Sequence, residues 1–543
     1  MGAGVETGEN AREERTGHQL ERHFGIDVAA DFAACLLDTC SLQAAARSAD
    51  GIAMANANGG HRQRGQRRAA RRGGMPARPH GHAKTQLRAA APGTLRVYDG
   101  RFGPEQAERL LWRAGFGPRN GQARALAHRG MRAAVLSLTR PHDRSLRGPA
   151  PHLDDGTPLA PYDKWGNDVL WWLDRMVRSS APLIERMTLI WHDWFATSND
   201  GVNSQRLMIA QNQTQRLLCL TSFPRMLTSM TSDPAMLLWL SGAGSTKEAP
   251  NENYAREMQE LFGLGAGRGY TEADVREHAR ALTGWDYKWD EATGQPVDFH
   301  FDPTRHDDGV KVIYGHRGRF DWRDSVRLLL AHPLHPSHLV TKLWSYFCLE
   351  PLSRHDQRAA EALYRSNGGA LRPLVEAFLM HPLLYRGPRM VKPPIVQIAG
   401  MLRGIGRYID TDAWVWESGL TGQTPFYPPN VAGWEAARWL NTGTWLARFN
   451  LASQVIGDDR ELKSESDNRH ASTVVDSHAL AERAIAFWGS PTLGARTRAA
   501  LSAYAKAAAI DAATASWERD AYPVLAENAL RALVAASPDY QTC

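Results

Sequence analysis

From Gly103 onward the chain reads as one helical segment after another, with apolar residues returning every three or four positions. The first, GPEQAERLLWRAGFGP, offers Pro104 at a first helical position, Leu110, Leu111 and Ala114 at helical spacing, and Gly115 as a stop. In PLIERMTLIWHDWF, residues Ile184, Met187, Trp191, Trp194 and Phe195 form one apolar stripe, as a core helix requires. TEADVREHARALTGW opens with Thr271 and Asp274 in capping-box positions and closes at Gly284. LIWHDWF and TKLWSYF share a helical Trp-to-Phe pattern, four apart in the first and three in the second, that marks two similar core-lining helices. Only one region reads as sheet: Val297, Phe299 and Phe301 alternate, a turn follows near Asp308 and Gly309, and VKVIYG comes after it. The expected fold is mainly α, a large multi-helix domain with a small β-hairpin or extended loop region near 297–320.

Composition divides the chain. Between Gly51 and Tyr98 there is no acidic residue but ten Lys or Arg, which taken from the formal +6 leave −4 for the rest. The basic character belongs to that stretch, so charge gives no reason to assign nucleic-acid binding to the folded part. Rich in Arg, Gly and Ala, the segment buries too little apolar surface to offset chain ordering. Residues 1–100 are therefore expected to be a disordered tail. It is compatible with a nucleic-acid or acidic-surface arm, a solvated linker, or a non-native extension upstream of a start such as Met75. The helical domain is expected over 101–455, a polar linker over 456–475, and further helices that pack on or extend it over 476–543.

Five widely spaced cysteines form neither a disulfide framework nor a paired zinc signature. No apolar run is long enough to span a bilayer, and VAADFAACLL follows an acidic, polar start rather than a basic one, so no signal peptide is evident. The 18 tryptophans fit large core residues first and sugar-stacking platforms second.

Three polar groupings could carry chemistry. In NENYAREMQELF, Asn251 is the expected N-cap; Tyr254, Met258 and Leu261 share one stripe, Asn253, Arg256, Glu257 and Glu260 another. Two carboxylates three apart in a low-dielectric site need Arg256, a metal ion or a shared proton, whereas on an open surface they need nothing. In HFDPTRHDDGVK, His300, Asp302, His306, Asp307 and Asp308 precede Lys311, a density that suits a divalent cation or an acid–base pair and equally an ordinary turn. His332, His335 and His338 lie three apart, but Pro333 and Pro336 interrupt them, which favours a helix end followed by a Pro-initiated helix. His192 and Asp193 flank the apolar stripe of their helix, leaving open a buried hydrogen-bonded histidine or a site histidine. Phosphate-loop, zincin, nucleophile-elbow and dinucleotide signatures are absent.

Taken in order, LLWRAGFGP, Trp191-His192-x-x-Phe195, DPAMLLWL, APNENYAREMQELFGLG, the segment Tyr270 to Trp285, His306-Asp307-x-Gly309-x-Lys311, the element with His332, Pro333, Lys342, Leu343, Trp344 and Phe347, and Pro428 to Trp434 resemble a bacterial family known as domain of unknown function 1800. The likeness runs from about Gly103 to about Ala452. It implies a largely helical protein, often exported, whose partner is an exported protein encoded nearby; it supplies no reaction and no catalytic residues.

The motifs turn Asn253, Arg256, Glu257 and Glu260 inward as an expectation, into a cleft shared with the other groupings. There Glu257, Glu260, His306 and Asp307 are the candidate catalytic or metal-ligating groups, with a divalent cation as the cofactor to consider. Asn251, Asn253, Arg256, Arg280, Trp285, Lys311, Asn430 and Trp434 are the candidate ligand contacts. The chemistry considered is hydrolysis of an exported polymer; the alternative is a scaffold or secretion partner whose polar cluster fixes helix packing.

Overall fold

The computed structural model describes residues 94–457, 476–514 and 522–543, which fall within one compact unit, Ala90–Cys543. The arginine-rich stretch up to residue 93 and the polar stretch 458–475 lie outside the described residues. The architecture is mainly helical, with two small two-stranded antiparallel sheets among the described residues.

The helices that bear on the site are α1 (Pro104–Arg113), α2 (Asn167–Arg178), α3 (Pro182–Trp194), α4 (Gln205–Leu218), α5 (Glu252–Glu257), α6 (Glu272–Ala281), α7 (Trp322–Ala331) and α8 (His335–Ser345). Two apolar cores hold them. One gathers Leu110, Leu111, Met187, Trp191, Trp194, Phe223, Leu343 and Phe378, and the other Trp172, Leu189, Ile398, Trp414, Phe426, Leu451, Leu480 and Leu530. Helix α3 contributes to both, so almost every residue along it is buried. Each fully buried large side chain contributes about 1.5–3 kcal/mol relative to exposure.

The sheet differs from expectation in its pairing. Strand β2 (Gln295–Phe301) pairs with β1 (Trp285–Asp290), and β3 (Lys311–Ile313) pairs separately with β4 (His316–Gly318). In β1 a register shift between Asp286 and Lys288 breaks the alternation by which a strand is read from sequence.

Ordered packing also begins before Gly103. Arg96 Nε donates to Asp356 Oδ2 at 2.9 Å, the Tyr98 amide donates to the Met380 carbonyl at 2.8 Å, and Leu95, Tyr98 and Phe102 pack on the first core. This short extended segment has no periodicity to betray it. At the other end, Arg113 of α1 reaches the carbonyls of Phe347, Pro388 and Cys543, binding the first motif to the last residues of the chain.

Candidate functional site

Helix α5 begins as its sequence requires: Asn251 Oδ1 accepts from the Asn253 amide at 2.8 Å. It continues as a π-helical turn over Met258–Gly263, a local unwinding that redirects its last carbonyls sideways. Neighbouring helices satisfy them. Trp194 Nε1 donates to Phe262 O at 3.3 Å, His335 Nδ1 to Gly263 O at 3.0 Å, and both His338 Nε2 and Lys342 Nζ to Leu261 O, at 3.2 and 3.1 Å. At Gly263 a Cβ would meet Leu329 Cδ2 at 2.6 Å, so the Leu329 side chain of α7 packs where a Cβ would sit.

The apolar stripe is where it was expected, with Tyr254 and Met258 buried. The polar stripe is not inward. Asn253 is exposed, and Arg256 lies across the start of α6, paired with Glu272 at 2.8 Å, Glu252 at 3.2 Å and Glu260 at 3.7 Å. This stripe borders solvent, with one guanidinium shared among three carboxylates. Glu257 differs: half-buried, it makes no hydrogen bond or ion pair among the described residues. Burial, and secondarily Glu260, raise its pKa.

The second grouping forms a separate network at the other end of α6. Arg280 grips Asp307 from Nε at 2.7 Å and Nη2 at 3.2 Å, and holds Glu277 through Nη1 at 2.9 Å. Lys311, fully buried, donates to the carbonyls of Asp307 and Gly309. The Asp307 amide donates to Thr283 Oγ1 at 2.9 Å, and His306 Nδ1 donates to Thr283 O at 2.9 Å. Burial would raise the Asp307 pKa, but Arg280 and the Gly309 amide outweigh it and hold the carboxyl below its ordinary value. No hydrogen bond or ion pair among the described residues joins His306 or Asp307 to Glu257 or Glu260. Trp285 is buried against Phe301 and Trp322, and Asn430 is exposed, its Oδ1 closing a turn onto the Ala432 amide.

A third assembly draws together stretches that the sequence leaves far apart. Asp193, at the end of α3, accepts from the Tyr346 hydroxyl at 2.7 Å through Oδ2 and from the Trp434 amide at 2.8 Å through Oδ1. The Trp434 ring lies 5.5 Å from that of His192. Lys342, one turn before Tyr346, stands 4.5 Å above the Trp194 ring and bonds the π-turn of α5. Two turns before Asp193 on the same face of α3 is Arg186, 6% exposed, which makes no hydrogen bond or ion pair among the described residues and whose Nε is buried without a partner.

Asp193, Lys342, Tyr346 and Trp434 each retain partial solvent exposure. Desolvation nonetheless dominates their protonation. It lowers Lys342 to about 8 against the opposing field of Asp193, lowers Arg186 to about 10, and raises Asp193 and Tyr346. Groups crowded by protein yet touched by water line a solvent-reached seam. His192 is the buried alternative of its two readings: it accepts at Nε2 from the Phe426 amide at 3.2 Å, and burial lowers it to about 3.

From the sequence, Trp434 is a ligand contact in a cleft with Glu257 and His306 and Asp193 lies beside the apolar stripe, but neither Arg186 nor Tyr346 is singled out. The Trp and Phe shared by LIWHDWF and TKLWSYF were the available signal, since side chains of the two segments touch through Asp193 with Tyr346 and Trp194 with Lys342. Of the three spaced histidines, His335 is bonded at both ring nitrogens, by Gly263 O and by the Tyr364 hydroxyl at 3.0 Å. His332 caps α7 and accepts from the Leu334 amide. Among the described residues no three His, Cys, Asp or Glu side chains are grouped as a metal site.

A family model described as a protein of unknown function, DUF1800, matches residues 109–542. The chain belongs to this family. The DUF1800 match continues past Ala452 through the helices that complete the second core. No curated protein and no solved structure matches the chain. Within this DUF1800 chain no described helix is long and apolar enough to cross a membrane.

Proposed function

We propose that the chain is an acyl hydrolase, acting by acid–base chemistry at the seam between α3 and α8. The carrying observation is the convergence of Lys342, the partnerless Arg186 and the Asp193–Tyr346 pair: an amine base, a fixed cation and a hydrogen-bonded pair in a poorly solvated but water-reached place. A lysine lowered to about 8 has a usable neutral fraction near neutral pH. Lys342 takes a proton from water as its oxygen attacks the acyl carbon. Arg186 stabilises the resulting oxyanion, and Lys342 returns the proton to the leaving group as the acyl bond breaks. Asp193 orients Tyr346.

The rival reading, a non-catalytic scaffold or secretion partner, draws support from the two other groupings. Arg256 ties Glu252, Glu260 and Glu272 together, and Arg280 ties Asp307 to Glu277, as contacts that fix helices and a loop would. The readings separate on a panel of chromogenic esters, aminoacyl amides and peptides. Hydrolysis whose rate rises through about pH 8 and is lost in folded Lys342→Met supports the enzyme. A folded wild type that hydrolyses none, or turnover indifferent to Lys342→Met, supports the scaffold.

A further inference from the structure

On the opposite side of α3 from Arg186, a pocket of about 310 Å³ opens between α2, the start of α3 and α4. Its wall includes Arg144, Trp171, Arg175, Glu185, Gln213 and Arg216. Adjacent residues on a helix diverge by about 100°, which is why Glu185 and Arg186 serve different faces.

The floor is rigid. Glu185, 2% exposed, accepts from Arg216 Nε at 2.8 Å and Nη2 at 2.9 Å, from Trp172 Nε1 at 3.2 Å and from Arg175 Nε at 3.4 Å. Arg216 also donates to Asn212 Oδ1 at 2.6 Å, and both it and Arg175 lie 5.4 Å from the centre of the Trp171 ring. The two guanidinia are thus held in place without being consumed. Both terminal nitrogens of Arg175 lack a protein acceptor among the described residues, and Arg144, at the exposed rim, makes no hydrogen bond or ion pair there.

Three guanidinia against one carboxylate leave a local charge of about +2 in a pocket large enough for a small ligand group. A monoanion would leave that charge half compensated. A phosphate monoester above its second ionisation, near pH ~6, carries close to two negative charges and three acceptor oxygens, and guanidinium forks match them. We propose that this pocket is a binding site for a phosphate monoester group, independent of the hydrolytic seam.

The test is calorimetric titration of the full chain with inorganic phosphate, sulfate and chloride at matched ionic strength, at several pH values. Saturable phosphate binding at pH 8 should weaken as phosphate becomes a monoanion, while sulfate, a dianion throughout, binds without that dependence. Arg144→Gln and Arg175→Gln, whose thermal midpoints report folding, should each weaken binding at least about tenfold, the scale of one lost charge-assisted contact. Arg186→Gln should leave it unchanged. Absence of saturable binding, indifference to both pocket variants, a shared pH dependence for the two anions, or loss only in Arg186→Gln would each overturn the proposal. The last outcome would move the anion to the seam and leave the hydrolase reading standing.

Discussion

Lys342 donates from Nζ to the Leu261 carbonyl oxygen at 3.1 Å, joining α8 to the π-turn that ends the Asn/Arg/Glu helix. Through this bond and the contacts of Asp193 with the Tyr346 hydroxyl and the Trp434 amide, four stretches that carry the family resemblance meet in one place. The polar residues that look most chemical in the sequence do other work nearby.

The lysine gives a stability signature. Its folded pKa, about 8, lies below the ordinary 10.5, so between those values the unfolded chain binds more protons than the folded one. Stability therefore rises with pH through that window. Wild type minus Lys342→Met, measured by urea unfolding, should increase from pH 8 to 10.5; a flat difference would mean the amine is not desolvated.

Acid should act in the opposite sense to a rising pH. Burial lowers His192 and His278 to about 3 and His335, His338 and His381 to about 4, all from 6.5. As pH falls from 6.5 toward 4 the unfolded chain takes up these protons first, so stability falls. Asp168, Asp174, Asp193, Asp233, Glu257 and Glu417, raised by burial, oppose this over part of the range, while ion-paired Asp307, Asp356 and Glu376, held below their ordinary values, add to the loss. Urea midpoints should drop steadily below pH 6.5.

Gly433 holds φ of +88°, and a Cβ there would overlap Asp193 Oδ1 and lie 2.8 Å from the Asp193 carbonyl oxygen. Gly433→Ala should cost at least about 2 kcal/mol by combining backbone strain with a clash. The Trp434 amide should leave Asp193, and hydrolysis should fall more than stability alone explains.

Glu257 and Asp307 should behave differently. Glu257→Gln removes no bond and relieves repulsion from Glu260, so its effect should stay within about 0.5 kcal/mol. Asp307→Asn disrupts a two-nitrogen grip by Arg280 and should cost about 1–3 kcal/mol while leaving the seam chemistry intact. Equal thermal midpoints for the two variants would contradict this division.

The helical architecture was legible because it rests on local periodicity and caps: the apolar stripe of α3, the Thr271–Asp274 box and the Pro-initiated α8 all form as read. The site was less legible. Charge density drew attention to Glu260, Arg256, His306 and Asp307, but pairing depends on the crossing of α5, α6 and the 306–311 loop, which no local pattern encodes. Asp193 and Tyr346 stood inside aromatic runs that read as core, and they differ from core only in facing the one side that water reaches.

Rates of acylation of Lys342 by a small activated ester, followed by mass spectrometry across pH, test the seam most directly. Labelling of the folded chain with a midpoint near 8 would bear out a desolvated but water-reached amine. A Lys342 that stays unlabelled while surface lysines react, or one that titrates near its ordinary 10.5, would contradict it.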